Sequence, residues 1–178
     1  MNGHNVCYQG GYVKNKIILF AAVFLLTFVL LNEKAKGEEK MEKSENYIFE
    51  EGVKGPDEYF TGKVMVNMLV TDNKKAYDTQ AYDVKFPAKA RTYWHSHPGG
   101  QLLFVTSWNG YYQEKDKPAR LLQKGDVVEI PVNVVHWHGA APDSEFVHLG
   151  VSCRTDKGPA KWFGAVTDEE YFKAVENK

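Results

Sequence analysis

From Gly55 onward, apolar residues fall in short runs separated by turn residues. Residues 64–70 (VMVNMLV) form an apolar run of the kind that makes a buried strand. Residues 80–86 (QAYDVKF) and 146–153 (FVHLGVSC) alternate with the period of a strand that has one buried face. Residues 102–106, 127–130 and 134–138 are short and rich in β-branched or aromatic side chains, which pack well on a pleated surface. Asp72-Asn73, Pro87, Pro98-Gly99-Gly100, Asn109-Gly110, Lys124-Gly125-Asp126, Pro131 and Pro142-Asp143 break the runs. Asn-Gly between two strand-like runs predicts a tight hairpin. Strands this short and this numerous predict an all-β sandwich or barrel. Only the end changes period: Thr167-Asp168-Glu169-Glu170 has the form of a capping box and predicts a short helix from about Asp168 to Val175. The chain carries no internal repeat.

The first 44 residues follow another rule. Residues 17–31 (IILFAAVFLLTFVLL) are apolar save for Thr27, with Lys14 and Lys16 ahead and a charged stretch to Lys43 behind. A basic flank, a short apolar centre and then small residues at Ala35 and Gly37 predict an export signal. The run is short for a membrane span, which needs roughly 20 residues. It lacks an A-x-A cleavage site, so an uncleaved membrane anchor is the other reading. The expected organisation is a signal peptide or anchor plus charged linker over 1–44 and one domain over 45–178, exported to the periplasm or exterior or held at the membrane.

Composition narrows the classes. The 178 residues carry a formal net charge of -1, which gives no broad basic field for nucleic acid. Cys7 and Cys153 form neither a CxxC nor a disulfide framework.

The chemistry lies in the histidines. One of the six, His4, is in the leader; the others are His95, His97, His136, His138 and His148. Side chains two apart on a strand share a face, so His95 and His97 point one way together, as do His136 and His138. A lone strand histidine is usually a surface or core residue, and His148 taken singly reads that way. Two H-x-H pairs in one small domain read as a metal site, because neutral imidazole is a common ligand for divalent transition metals. Gln101 follows His97 across the Pro98-Gly99-Gly100 turn, which can bring its amide oxygen to the same interior. The lack of a thiolate near these residues argues against a structural Cys-type zinc site.

Residues 90–110 (ARTYWHSHPGGQLLFVTSWNG) resemble the first motif of the cupins: H-x-H, an acid or amide four residues on, then a closing Gly. Residues 125–140 (GDVVEIPVNVVHWHGA) resemble the second: Gly, then Pro, then His. Through GPDEYFTGKV, ARTYWHSHPGGQ, VHWHGAAP, FVHL and VTDEEY, residues 55–175 are similar to small single-domain bacterial cupins that include manganese-dependent hydroxynitrile lyases of the (R)-mandelonitrile lyase type. The resemblance implies a jelly-roll or double-stranded β-helix barrel with a short C-terminal helix, assembled as a homodimer or higher homo-oligomer. It implies that His95, His97, Gln101 and His136 hold a divalent ion, manganese first, with iron, cobalt, nickel or zinc as alternatives. It implies that His138, His148 and Thr92 line a site for a small-molecule substrate. In the lyases that site takes a proton from a cyanohydrin hydroxyl and stabilises the cyanide that leaves.

Many cupins carry Glu where Gln101 stands. A neutral amide leaves the full 2+ charge on the ion and favours Lewis-acid chemistry on a bound oxygen. His138 or His148 would then serve as general base and Thr92 would orient the substrate oxygen. Phe104, Trp137 and Phe163 are candidates for an apolar wall or for core. A metal-dependent dioxygenase and a non-enzymatic sensor or binding cupin are the alternative functions.

Overall fold

The computed structural model describes residues 47–72 and 74–176; the apolar run at 17–31, the linker before it reaches Ser44, His4 and Cys7 lie outside the described residues. Among the described residues the chain forms β1 (Val53–Lys54), β2 (Phe60–Thr61), β3 (Met65–Val70), β4 (Thr79–Phe86), β5 (Arg91–Thr92), β6 (Trp94–Ser96), β7 (Gln101–Trp108), β8 (Gly110–Glu114), β9 (Arg120–Leu122), β10 (Val127–Ile130), β11 (His136–Ala140), β12 (Phe146–Cys153), β13 (Lys161–Gly164) and a helix, α1 (Asp168–Glu176). The all-β reading with a short closing helix holds.

Two antiparallel sheets share one core. The first has the order β1-β3-β4-β12-β7-β10; the second has β13-β6-β11-β5-β2, with β8 joining β11 to β9. Leu103 and Val105 of β7, Val84 and Phe86 of β4 and Phe146 of β12 meet Tyr112, Leu122 and Ala140 of the second sheet. Burial of these side chains, at about 25 cal/mol per Å² of apolar surface, is the main force that holds the sheets together. Along β7 burial alternates residue by residue, so Gln101 shares the inner face with Leu103 and Val105.

β11 is buried throughout because both its faces are covered. His136, His138 and Ala140 face the core between the sheets. Trp137 faces outward and packs with Trp94, Tyr171, Ala174 and Val175 under α1. The capping box forms as predicted: Glu170 N–H donates to Thr167 Oγ1 at 3.1 Å, and Thr167 N–H donates to Glu170 Oε2 at 2.9 Å. Buried Arg91 donates to Val166 O through Nε and Nη2 and pairs with Asp168 at 2.6 Å, which ties the helix start to β5.

The Asn109-Gly110 hairpin does not form. β7 pairs with β12 and β10, whereas β8 pairs with β11 and β9, so the chain changes sheet at this point. Trp108 adopts φ 58 to make the corner. Gly110 is needed for close approach rather than for a hairpin turn: a Cβ there would lie 2.5 Å from Gly139 O and from the Phe146 ring.

Candidate metal centre

His95 lies on β6 and His136 directly opposite it on β11. Their ring centroids are 4.2 Å apart. His97 and His138, each two residues further along the chain, lie 5.3 and 5.2 Å from His95 by the same measure. The two H-x-H pairs therefore converge, as same-face geometry requires. The turn after His97 is fastened to the end of β12: Cys153 N–H donates to Gly100 O at 3.0 Å, and Arg154 donates to Gly99 O through Nε and Nη2. With Gly100 at φ 88, the chain reverses and β7 starts with Gln101 aimed inward.

The hydrogen bonds show which ring nitrogens are bare. A carbonyl only accepts, so Nδ1 of His95 donates to Tyr93 O and Nδ1 of His136 donates to Val134 O, both at 2.9 Å. Nε2 of each ring then carries a lone pair. His136 Nε2 lies 3.0 Å from Gln101 Oε1, which is also an acceptor. In this orientation Gln101 Nε2 donates to Tyr82 Oη at 2.7 Å, a hydroxyl that can serve either sense of the amide. Two acceptors in contact repel unless a cation draws both. Adjacent ligands on an ion with bonds of about 2.1 Å lie about 3 Å apart, so the pair fits a metal. His97 Nε2 is buried without a partner, while its Nδ1 meets Ser152 Oγ at 3.2 Å. His138, expected to stand free of the metal, also comes within range: one nitrogen each of His95, His136 and His138 lie within 4.8 Å of one another.

None of the five histidines is more than 7 % exposed. Burial, reinforced by neighbouring rings, pushes His95 and His138 well below the usual imidazole range. Burial lowers His97 and His148 to about 3 and His136 to about 4. All are neutral near pH 7, the form that binds metal. The unfolded chain takes up these protons near pH 6.5 and the folded chain does not. Stability of the metal-free protein is therefore flat above that pH and falls below it, by about 1.4 kcal/mol per pH unit for each histidine involved, until the folded-state values are reached. Urea midpoints of chelator-treated protein between pH 8 and 5 check this; an unchanged midpoint down to pH 5 would contradict it.

His138 Nδ1 and His148 Nε2 lie 3.2 Å apart, so one donates to the other and the pair shares a proton. Thr92 Oγ1 accepts from His138 N–H at 3.1 Å where β11 changes partner from β6 to β5. Its hydroxyl proton remains available to the cavity it lines. That cavity, about 580 Å³, opens beside His95, His97, Gln101 and His138. Its aromatic wall is a stack in which Tyr59 lies 4.3 Å from Trp162, and Trp162 lies 4.7 Å from His95. Phe104, Trp137 and Phe163 are not in the wall. Phe104 falls on the outer face of β7, Trp137 donates to Gln113 Oε1 behind β11, and Phe163 is exposed. Sequence reasoning missed Tyr59, Tyr82, Ser152 and Trp162. Tyr82 and Ser152 could have been found, because each shares the inward parity of its alternating strand with Val84 or His148.

Residues 82–152 match the family model of a cupin domain. Over 118 residues the chain is 40% identical to an (R)-mandelonitrile lyase from Granulicella tundricola, covering 66% of this chain and 89% of that one. The crystal structure of a cupin-like protein from Thermotoga maritima is similar at a TM-score of 0.73 and 63% identity, covering 74% of this chain and 99% of that one. A polyketide cyclase from Streptomyces resistomycificus shares the fold at a TM-score of 0.55 and 14% identity, over 75% of this chain and 92% of that one.

Proposed function

This chain belongs to the cupin family, and we propose that it is a metal-dependent lyase that cleaves small cyanohydrins in the manner of a hydroxynitrile lyase. The observation that carries the metal reading is the facing pair of acceptors, His136 Nε2 and Gln101 Oε1 at 3.0 Å, among buried neutral imidazoles. The likeness to a protein named (R)-mandelonitrile lyase supports the reaction class. His95, His97, Gln101 and His136 would hold the ion, with His138 close beside them, and the family resemblance makes manganese the first choice. A divalent ion there supplies Lewis acidity toward a substrate oxygen.

The chain's own groups supply the rest. The Tyr59–Trp162 stack forms an apolar wall for the body of the substrate and excludes water from it. Thr92 Oγ1 donates to the substrate oxygen. The His138–His148 pair takes the cyanohydrin hydroxyl proton as the carbon–cyanide bond breaks. The oxygen's electrons form the carbonyl, cyanide departs with the bonding pair, and the stored proton returns to it as hydrogen cyanide. His138 lines the cavity and takes and returns the proton, while His148, which does not line it, supports His138 from behind through the 3.2 Å contact.

Purified full-length protein is expected to hold manganese and to release benzaldehyde from mandelonitrile, and to lose both properties with a chelator. His148→Ala is expected to keep the metal and lose activity by about a hundredfold or more. Metal-loaded protein that leaves mandelonitrile intact would sink the lyase reading, and oxygen uptake by that protein would favour the dioxygenase.

A further inference from the structure

We propose that Tyr82 contacts the bound ligand directly, and that its hydroxyl proton is turned into the cavity only when the metal ligands are engaged. The proposal rests on the reading of His97, Gln101 and His136 as ligands. Three contacts form one chain: Gln101 Nε2 to Tyr82 Oη at 2.7 Å, Tyr82 Oη to Ser152 Oγ at 2.9 Å, and Ser152 Oγ to His97 Nδ1 at 3.2 Å. Each hydroxyl has one proton and two lone pairs, so the direction of every link follows once the ends are fixed. Both ends belong to candidate ligands.

At one end, His97 can ligate through Nε2 only if its proton is on Nδ1. Nδ1 then donates to Ser152 Oγ, and Ser152 passes its own proton toward Tyr82 Oη. At the other end, Gln101 presents Oε1 beside His136 Nε2, so its amide N–H donates to Tyr82. Tyr82 Oη now accepts twice, and no acceptor in the chain is left for its proton. Tyr82 lines the cavity together with His95, His97 and Gln101, so that proton serves whatever occupies the cavity.

Without a cation the same atoms settle differently. Gln101 Oε1 against the bare His136 Nε2 is unfavourable. Turning the amide over lets its N–H donate to His136 and its oxygen accept from Tyr82. The proton of Tyr82 is then used inside the network. Engaging the ligands releases the donor and freeing them withdraws it.

The backbone is built for this tyrosine. Gly150 on β12 stands directly opposite Tyr82 on β4, and any Cβ at Gly150 would overlap the Tyr82 ring. The missing side chain lets the ring lie against the strand and extend its hydroxyl to Gln101.

The ligand this donor fits bears an oxygen acceptor next to the one at the metal. Among the described residues no Asp or Glu lines the cavity, and every candidate ligand is neutral, so the charge of a divalent ion is uncompensated and a small carboxylate suits it. Benzoate combines that group with a ring for the Tyr59–Trp162 wall and serves as the probe. Calorimetry would follow benzoate binding to the full chain, at saturating manganese and after chelation, for wild type, Tyr82→Phe and Ser152→Ala. Metal content would be measured in each. Loaded Tyr82→Phe is expected to bind benzoate about ten- to a hundredfold more weakly than loaded wild type, at equal manganese content. The stripped proteins are expected to bind equally weakly. Loaded Ser152→Ala is expected to bind close to wild type, because Tyr82 keeps its free proton there; its loss falls on manganese affinity through His97. Equal affinity of loaded wild type and Tyr82→Phe overturns the proposal, as does a loaded wild type that binds no benzoate, or a Ser152→Ala that weakens benzoate as much as Tyr82→Phe. Wild type that retains no divalent ion overturns the ligand reading, a failure that the metal analysis reports separately.

Discussion

Replacing His136 with alanine is expected to give a folded protein that holds almost no metal. Its ring lies 4.2 Å from His95 and 5.9 Å from His138 by centroids, with Nε2 against Gln101 Oε1. The Val134 carbonyl fixes the tautomer, so this ring is oriented before any ion arrives. Loss of a residue that merely supports a ligand weakens metal binding roughly 10–100-fold, and loss of a ligand exceeds that. The fold tolerates the change better than the site does. Alanine opens a small void, but it also removes one of two repelling acceptors and one buried imidazole that resists protonation. Elemental analysis after dialysis measures the metal, and circular dichroism measures the fold. An alanine variant with full metal content would refute the assigned ligand set.

Gly99→Ala is expected to be the most destabilising single methyl in the site, at about 3 kcal/mol or more. A Cβ at Gly99 would overlap Cys153 O and lie 2.7 Å from Arg154 O. Both are backbone atoms, so no side chain can swing aside. The turn must lift off β12 and give up the bonds from Cys153 N–H and Arg154 that hold it there. Because Gln101 leaves from this turn, metal affinity falls with stability. Gly125→Ala is the matched control: nothing lies within 4 Å of its Cβ, and its φ of 95 alone sets a cost of about 1 kcal/mol. Equal denaturant midpoints for the two variants would show that the clash at Gly99 is relieved cheaply.

Strands with one wet face were legible from the chain alone. β4, β7, β10 and β12 fall on or around the runs that alternation or β-branching marked. β6 could be read only through its H-x-H: all three of its residues are buried, yet His95 and Ser96 are polar, so hydropathy does not mark the strand. β2 and β5 have two residues each, too few for any period to be read. The histidine pairs were legible for a geometric reason, since parity along a strand decides which side chains meet. Parity also places His148, Gly150 and Ser152 together, but a glycine and a serine carry no hydrophobic signal. Trp162 and Tyr59 reach the site from β13 and from the turn before β2. Only long-range pairing brings them there, and no local pattern announces it.

β12 also governs when the molecule becomes complete. It lies between β4 and β7, with β3 beyond one and β10 beyond the other, yet it follows all of them in the chain. Synthesis runs from the N-terminus, so β1-β3-β4 and β7-β10 emerge as two part-sheets, each with a row of unpaired backbone groups along one edge. Such edges are where chains add to one another and aggregate. Pairing distant in sequence is also slow to form. The strand that closes both edges brings His148 and Ser152 with it. In the nascent chain, the end of exposure to aggregation and the arrival of His148 and Ser152 beside the other histidines are one event, and Trp162 on β13 adds the cavity's aromatic wall afterwards.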